Sequence, residues 1–277
     1  LRYYAERIEF GDPDVKRSAL FDLRNFETEA ASRIAIPALR DLSEIIRATA
    51  THTVVFLPES EAVKVLSPML NEKSAFIRRE TAYALGEIGS SEATRLLINV
   101  LLTDKKIEVK TASAVSLGKI GDVSIVSYLN SILARKPRSK RAFLRRAAAR
   151  SIGQTAQRIQ NQIKTRTTPE SFLPEKYKEL VRPKYPSLVK AFPVFNESNS
   201  ILLKVMRNRK EKADVRREAA FALGAIGAQS SIQQLQINLR SKDYYLIEIS
   251  KEALLRVYAS VNFLNSDGVP PSTFPET

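Results

Sequence analysis

Apolar residues recur along this chain with the spacing of an amphipathic helix, and one short pattern returns at intervals. It is plainest in IRRETAYALGEIG from Ile77 and VRREAAFALGAIG from Val215, with VKTASAVSLGKIG from Val109 as a third copy. Each begins with an apolar residue, then a basic one, then small residues, then Leu-Gly and Ile-Gly or a close variant. At 3.6 residues per turn, the leading residue and those four, eight and eleven positions on share one face; from Val215 these are Val215, Ala219, Leu223 and Ile226. Weaker copies start at Val15, Ile46, Leu144, Val181 and Ile249, so helices of one kind, B helices, begin near 15, 46, 77, 109, 144, 181, 215 and 249. Amphipathic stretches between them, such as 61–70, 92–102, 123–133, 200–206 and 231–239, predict partner A helices. One hairpin cannot bury its own apolar face, whereas stacked hairpins make a continuous core. The pattern therefore predicts an all-α fold, an α-solenoid (superhelix) of about eight antiparallel helix pairs over residues 1–262, with 263–277 as a C-terminal tail. Gly86, Gly118, Gly153 and Gly224 fall inside B helices, where close backbone approach is expected, while Gly89, Gly121 and Gly227 suit the left-handed position that ends a helix.

These segments resemble the HEAT-repeat family, and in particular the bacterial subtype named after phycobilisome lyases. The resemblance covers nearly the whole chain and is strongest at Ile77, Val109 and Val215. It implies an α-solenoid whose B helices line the concave surface, and a ladder of Asp/Arg pairs between repeats. It implies no single function, because such repeats serve as scaffolds, inhibitors, lyases and nucleic-acid enzymes.

Composition narrows the chemistry. With no Cys, disulfides, thiolate metal sites and cysteine nucleophiles are excluded, and with His52 as the one histidine so are multi-histidine metal sites. No Ser/His/Asp arrangement, phosphate-binding loop or paired carboxylate stands out, and no cofactor is implied. No run approaches the roughly 18 apolar residues of a membrane span. The chain does not open on Met, and is read as a fragment or processed product. A reduced cytosol and a disulfide-free periplasm both fit, the cytoplasm slightly better.

The net charge of +14 points to an acidic partner. Its distribution matters more than its size. The residue after the leading apolar one is basic in seven copies: Lys16, Arg47, Arg78, Lys110, Arg145, Arg182 and Arg216. With Asp14, Asp41, Glu72, Asp104, Glu179, Asp214 and Asp243 in the nearby turns, a structural ion-pair ladder is the stronger reading, a basic binding stripe the weaker. The fourth turn breaks the rule. Residues 134–143 hold no acid, and 134–210 hold 20 of the 44 Lys and Arg but 4 of the 30 Asp and Glu. This makes Arg135, Lys136, Arg138, Lys140, Arg141, Arg146 and Arg150, with Lys184, Arg207, Arg209 and Lys210, a candidate anion-binding patch; a solvated charge run is the alternative. Segment 165–198, with five prolines and with Phe172, Tyr177, Tyr185, Phe192 and Phe195, is either a recognition loop or a degenerate repeat. A second candidate surface is the B-helix face opposite the core, where Arg17 and Phe21, Arg79 and Tyr83, and Arg217 and Phe221 suit a peptide or helix partner unless the rings tilt into the core.

The reading that follows is a non-enzymatic adaptor or scaffold that binds a protein partner with an acidic surface through the B-helix face and the basic patch. Nucleic-acid binding is the alternative, since clustered cations with nearby Tyr and Phe suit phosphates and unstacked bases. HEAT-like alkylpurine DNA glycosylases resemble it in charge but use groove tryptophans, and this chain has none. A chromophore lyase is a minor alternative from the repeat subtype alone. The metal-dependent hydroxylases built on HEAT repeats need several His-Glu pairs, and the single His is read as excluding them.

Overall fold

The computed structural model describes residues 1–167 and 187–262. They divide into two compact units, Leu1–Ile125 and Val126–Thr277. Each is a stack of antiparallel helix pairs, with no strand among the described residues.

In the first unit the B helices are α2 (Pro13–Asn25), α4 (Glu44–Thr53), α6 (Ala75–Ile88) and α8 (Ile107–Ile120), each packed on the next. Their partners are α1 (Arg2–Phe10), α3 (Glu29–Ala35), α5 (Glu59–Leu66) and α7 (Ala93–Thr103). Helices α3 and α5 tighten at their ends into 3₁₀ turns that hold Pro37 and Pro68, residues that cannot continue the α-helical bonding. The predicted core positions are closed to solvent: Ile77, Leu85, Val109 and Leu117 are fully buried. Gly86 is required by the close approach of α6 to α8, since a Cβ there would lie 2.7 Å from the Ser116 Cα, and Ser116 Oγ donates to the Ala82 carbonyl at 2.7 Å. Gly89 ends α6 at φ +75°, in the left-handed region that glycine enters without steric cost.

The second unit stacks α9 (Val126–Ala134) and α10 (Ala142–Thr167), then α12 (Pro193–Arg207) and α13 (Ala213–Ile226), then α14 (Ile232–Asn238) and α15 (Tyr244–Asn262), with the short α11 (Leu188–Ala191) leading into α12. Helix α10 packs directly on α13, and α9 on α12, so the hairpin beginning at α12 is the structural neighbour of the one ending in α10. The copy expected at Val181, with Arg182 and Glu179, lies outside the described residues, as do Phe172, Tyr177, Tyr185 and the tail 263–277. Gly153 faces Phe221, whose ring would sit 2.4 Å from an added Cβ.

The expected ladder is built across repeats. Lys16 reaches Asp41 at 2.8 Å, Arg47 reaches Glu72 at 3.3 Å and Arg78 reaches Asp104 at 2.7 Å, each cation taking the acid of the following turn. The arginines also cap their own preceding turns: Arg47 donates to the Asp41 and Leu42 carbonyls, Arg78 to those of Glu72 and Lys73. Burial opposes ionisation of Asp104, but the hydrogen bonds from Arg78 and the Lys106 N–H outweigh it and hold its carboxyl below the usual range; Lys16 and the Ser43 N–H do the same for Asp41. In the last repeat the register shifts by one. Arg216 stays on the Met206 carbonyl while Arg217 takes Asp243 at 2.8 Å, and that bond lowers the Asp243 carboxyl.

Candidate functional site

Each unit carries a shallow groove on its B-helix face. In the first it is lined by Arg17, Phe21, Ile45, His52, Phe76 and Glu80, so α2, α4 and α6 each contribute. Arg17 lies over the Phe21 ring at 5.4 Å and Arg79 over Phe76 at 5.0 Å, the cation-on-face arrangement that favours a desolvated contact. The groove floor is polar. His52 Nε2 meets Glu80 at 2.9 Å, its Nδ1 is 3.6 Å from Glu87, and Arg24 reaches Glu87 at 2.9 Å. In the second unit the groove holds Arg150, Glu218, Phe221, Ile249, Glu252 and Arg256. Glu218 stands where Glu80 stands in its repeat, and here it takes Arg150 at 3.1 Å and Arg146 at 3.5 Å.

Of the six residues expected on this face, Arg17 and Phe21 are exposed, Arg79, Tyr83 and Arg217 are half-buried, and Phe221 leans against Gly153 with part of its ring in the inter-helix contact. Arg79 stacks on Phe76, not Tyr83, and Arg217 on Tyr245 at 4.9 Å, not Phe221. The rings sequence reasoning missed, Phe76 and Tyr245, lie just before the core stripe of their B helices. Both rings are exposed although the residues that follow them, Ile77 and Leu246, are fully buried, so adjacent apolar residues split between core and surface.

The basic residues divide in two. Arg146 and Arg150 face α13 and are paired with Glu218, Arg146 also lying 4.0 Å from Asp214. Arg135, Lys136, Arg138, Lys140 and Arg141 form the turn between α9 and α10, and Arg209 and Lys210 the turn before α13. Among the described residues no acid is within ion-pair distance of these seven. Arg207 donates to Gln234 at 2.9 Å, and Lys184 lies outside the described residues. Between the two turns sits a buried pair. Arg145, 3% exposed at its side chain, meets Glu211, 1% exposed, with bonds of 3.0 Å and 2.6 Å to the two carboxylate oxygens. It also donates to the carbonyls of Ile132, Leu133 and Arg135. The ladder thus continues from α10 to an acid 66 residues away in sequence.

Known proteins set this geometry in context. Residues 77–153 match HEAT repeats and residues 215–241 match the PBS lyase HEAT-like repeat. Two curated relatives are plant enzymes: deoxyhypusine hydroxylase-B of Oryza sativa subsp. japonica, 30% identical over 41% of this chain and 38% of that protein, and deoxyhypusine hydroxylase of Arabidopsis thaliana, 32% identical over 40% of this chain and 36% of that one. The chain thus spans well under half the length of these relatives. Among solved structures, an engineered protein aligns over 92% of this chain and 67% of its own, with TM-score 0.53 and 19% identity. The complex of CpcE and CpcF of phycocyanin lyase from Nostoc sp. PCC7120 aligns over 95% and 92%, with TM-score 0.50 and 19% identity. The hydroxylase relatives overturn the expectation that this chain is not an enzyme. The residues present do not fit a multi-histidine metal centre, however. His52 is the one imidazole of the chain, its ring lies between Glu80 and Glu87, and the described residues hold no group of three or more candidate ligands able to hold a metal. No helix among them is long and apolar enough to cross a membrane.

Proposed function

We propose that this chain, a HEAT-repeat protein with repeats of the phycobilisome-lyase type, captures a protein partner along its B-helix face, with the basic turns of the second unit orienting a partner of acidic surface. The observation that carries the reading is the pairing of exposed rings with arginines at that face, Arg17 on Phe21 and Arg79 on Phe76. Aromatic and Arg side chains dominate interface energetics, and a cation already resting on a ring loses little freedom when a partner covers both. The CpcE–CpcF complex supports a protein partner in general terms, since a protein of the same architecture is there assembled with another.

The test is affinity capture with the full chain as bait, with and without nuclease, beside the variant Phe21→Ala/Phe76→Ala. One defined protein retained after nuclease by the wild type and lost by the variant supports the reading. Retention of nucleic acid alone overturns it in favour of nucleic-acid binding. A second reading, an enzyme, is favoured by the identity to the plant hydroxylases over 114–115 residues. Its assay is incubation with a deoxyhypusine-bearing protein, read by mass spectrometry as the gain of one oxygen atom. Its lyase form is tested by transfer of a bilin chromophore to an acceptor protein.

A further inference from the structure

At the turn edge of the second unit the ladder pair is the most deeply buried, at 3% and 1% side-chain exposure against 15% and 7% for Arg78 and Asp104. Glu211, the carboxylate of the turn before α13, is buried against Arg145, whose remaining hydrogens close on the carbonyls of Ile132, Leu133 and Arg135. One buried pair therefore ties both turns together and cancels its own charge. What remains outside on the first turn is Arg135, Lys136, Arg138 and Lys140, all exposed, and on the second Arg209 and Lys210. Asp214, exposed in the first turn of α13, is engaged by Arg217 at 3.0 Å. Phe143, 73% exposed, opens α10 directly behind the first set of cations.

We infer that this two-turn edge is the docking site for an acidic segment of a polypeptide carrying an apolar side chain; the inference rests on the protein-binding reading above and assigns its electrostatic part to these turns. Consecutive packed helices lie roughly 8–10 Å apart, a span that about three extended residues cover at roughly 3.3 Å each. Carboxylates on a short extended stretch can therefore meet both turns while one apolar side chain covers Phe143. A nucleic-acid strand fits less well. It needs a long cationic track and several stacking rings, whereas among the described residues this edge has the acids Asp214 and Glu218 on its α13 side and one exposed ring, Phe143. Arg146 and Arg150 belong to the internal pairing with Glu218 and lie outside the site.

The experiment uses the full chain and two variants, Arg138→Glu/Lys140→Glu/Lys210→Glu at the edge and Arg146→Gln/Arg150→Gln beside it. The probes are a fluorescein-labelled peptide of Glu and Asp around one Leu, and a poly(dT) oligonucleotide, each titrated by fluorescence anisotropy at low and moderate salt. Circular dichroism verifies folding of every protein. The wild type should bind the peptide, the edge variant at least about tenfold more weakly, and the Gln variant within about twofold, with attraction screened as salt rises. No peptide binding by the wild type, or equal binding by the edge variant, overturns the inference. So does tighter binding of the oligonucleotide with a steep salt dependence. The same edge variant used as bait separates this site from the groove. A partner retained by it but lost by Phe21→Ala/Phe76→Ala removes the edge and leaves the groove standing. A wild type that retains no protein removes both.

Discussion

Glu211→Gln keeps the shape of the side chain opposite Arg145 and removes its charge. The pair is almost sealed, at 3% and 1% side-chain exposure, so the guanidinium left behind cannot be solvated where it stands. Nor can it swing out cheaply, because leaving would strand the buried carbonyl of Leu133 and the part-buried carbonyls of Ile132 and Arg135. Breaking a buried pair by removing one partner typically costs about 3–5 kcal/mol, and the amide oxygen of Gln, still able to accept one bond, places the expected loss near the lower end. Arg145→Met should cost at least as much, since it leaves the buried Glu211 carboxylate and the buried Leu133 carbonyl without donors, a buried orphan acceptor costing about 1–3 kcal/mol and a charged one more. The double variant Arg145→Met/Glu211→Leu removes both charges, and should be less destabilised than the sum of Arg145→Met and Glu211→Leu measured singly. The two units need not unfold together, so a single urea midpoint is a poor reporter. Hydrogen exchange read on peptides from α10 and α13 measures the opening of this contact directly. Protection falling in both helices of Glu211→Gln, with the first unit unchanged, is the expected result. A stability change within about 0.5 kcal/mol, the range of ordinary surface substitutions, or strict additivity in the double variant would refute the reasoning.

Two further outcomes follow from local geometry. Gly86→Ala should destabilise by about 1–3 kcal/mol through overpacking, because the added carbon meets the backbone of Ser116; Gly89→Ala meets nothing within 4 Å and should lose only about 1–2 kcal/mol from its left-handed backbone. Thermal melts measure both, and a Gly86→Ala loss within about 0.5 kcal/mol of zero, the range of ordinary surface substitutions, would show that α6 and α8 are not in backbone contact. Asp41 and Asp104 have carboxyls held below the usual range, so their contribution is complete above the unfolded value near 4 and is lost as pH falls through the lower folded values. Urea midpoints should therefore fall as pH is lowered below about 4, and Asp104→Asn should flatten that slope; a slope unchanged by the substitution would show that the ladder pair does not couple to folding.

Much of this architecture is written locally. The apolar stripe through Ile77 and Leu85, the Leu-Gly near the helix end and the glycine after it depend on residues within one helix, and six B helices begin two residues before the apolar residue that marks their copy; the last begins at Tyr244 with Leu246 as its buried leading residue, three positions before the expected Ile249. The existence of the ladder was legible for the same reason: a cation at a fixed repeat position implies a fixed geometry. Its partners were not. Arg145 meets an acid 66 residues on, Arg217 replaces Arg216 in the last step, and Arg146 and Arg150 lose their apparent freedom to Glu218. A charge count adds residues that are near in sequence, but Coulomb attraction and desolvation depend on distance and burial in space, and those are set when α10 stacks on α13. The sequence by itself therefore determined the helices, their pairing into hairpins and the sign of the charge in the second half of the chain. Only the tertiary stack decided which cations are spent internally and which remain on the turns, because each ladder arginine reaches out of its own repeat to the acid of the next hairpin.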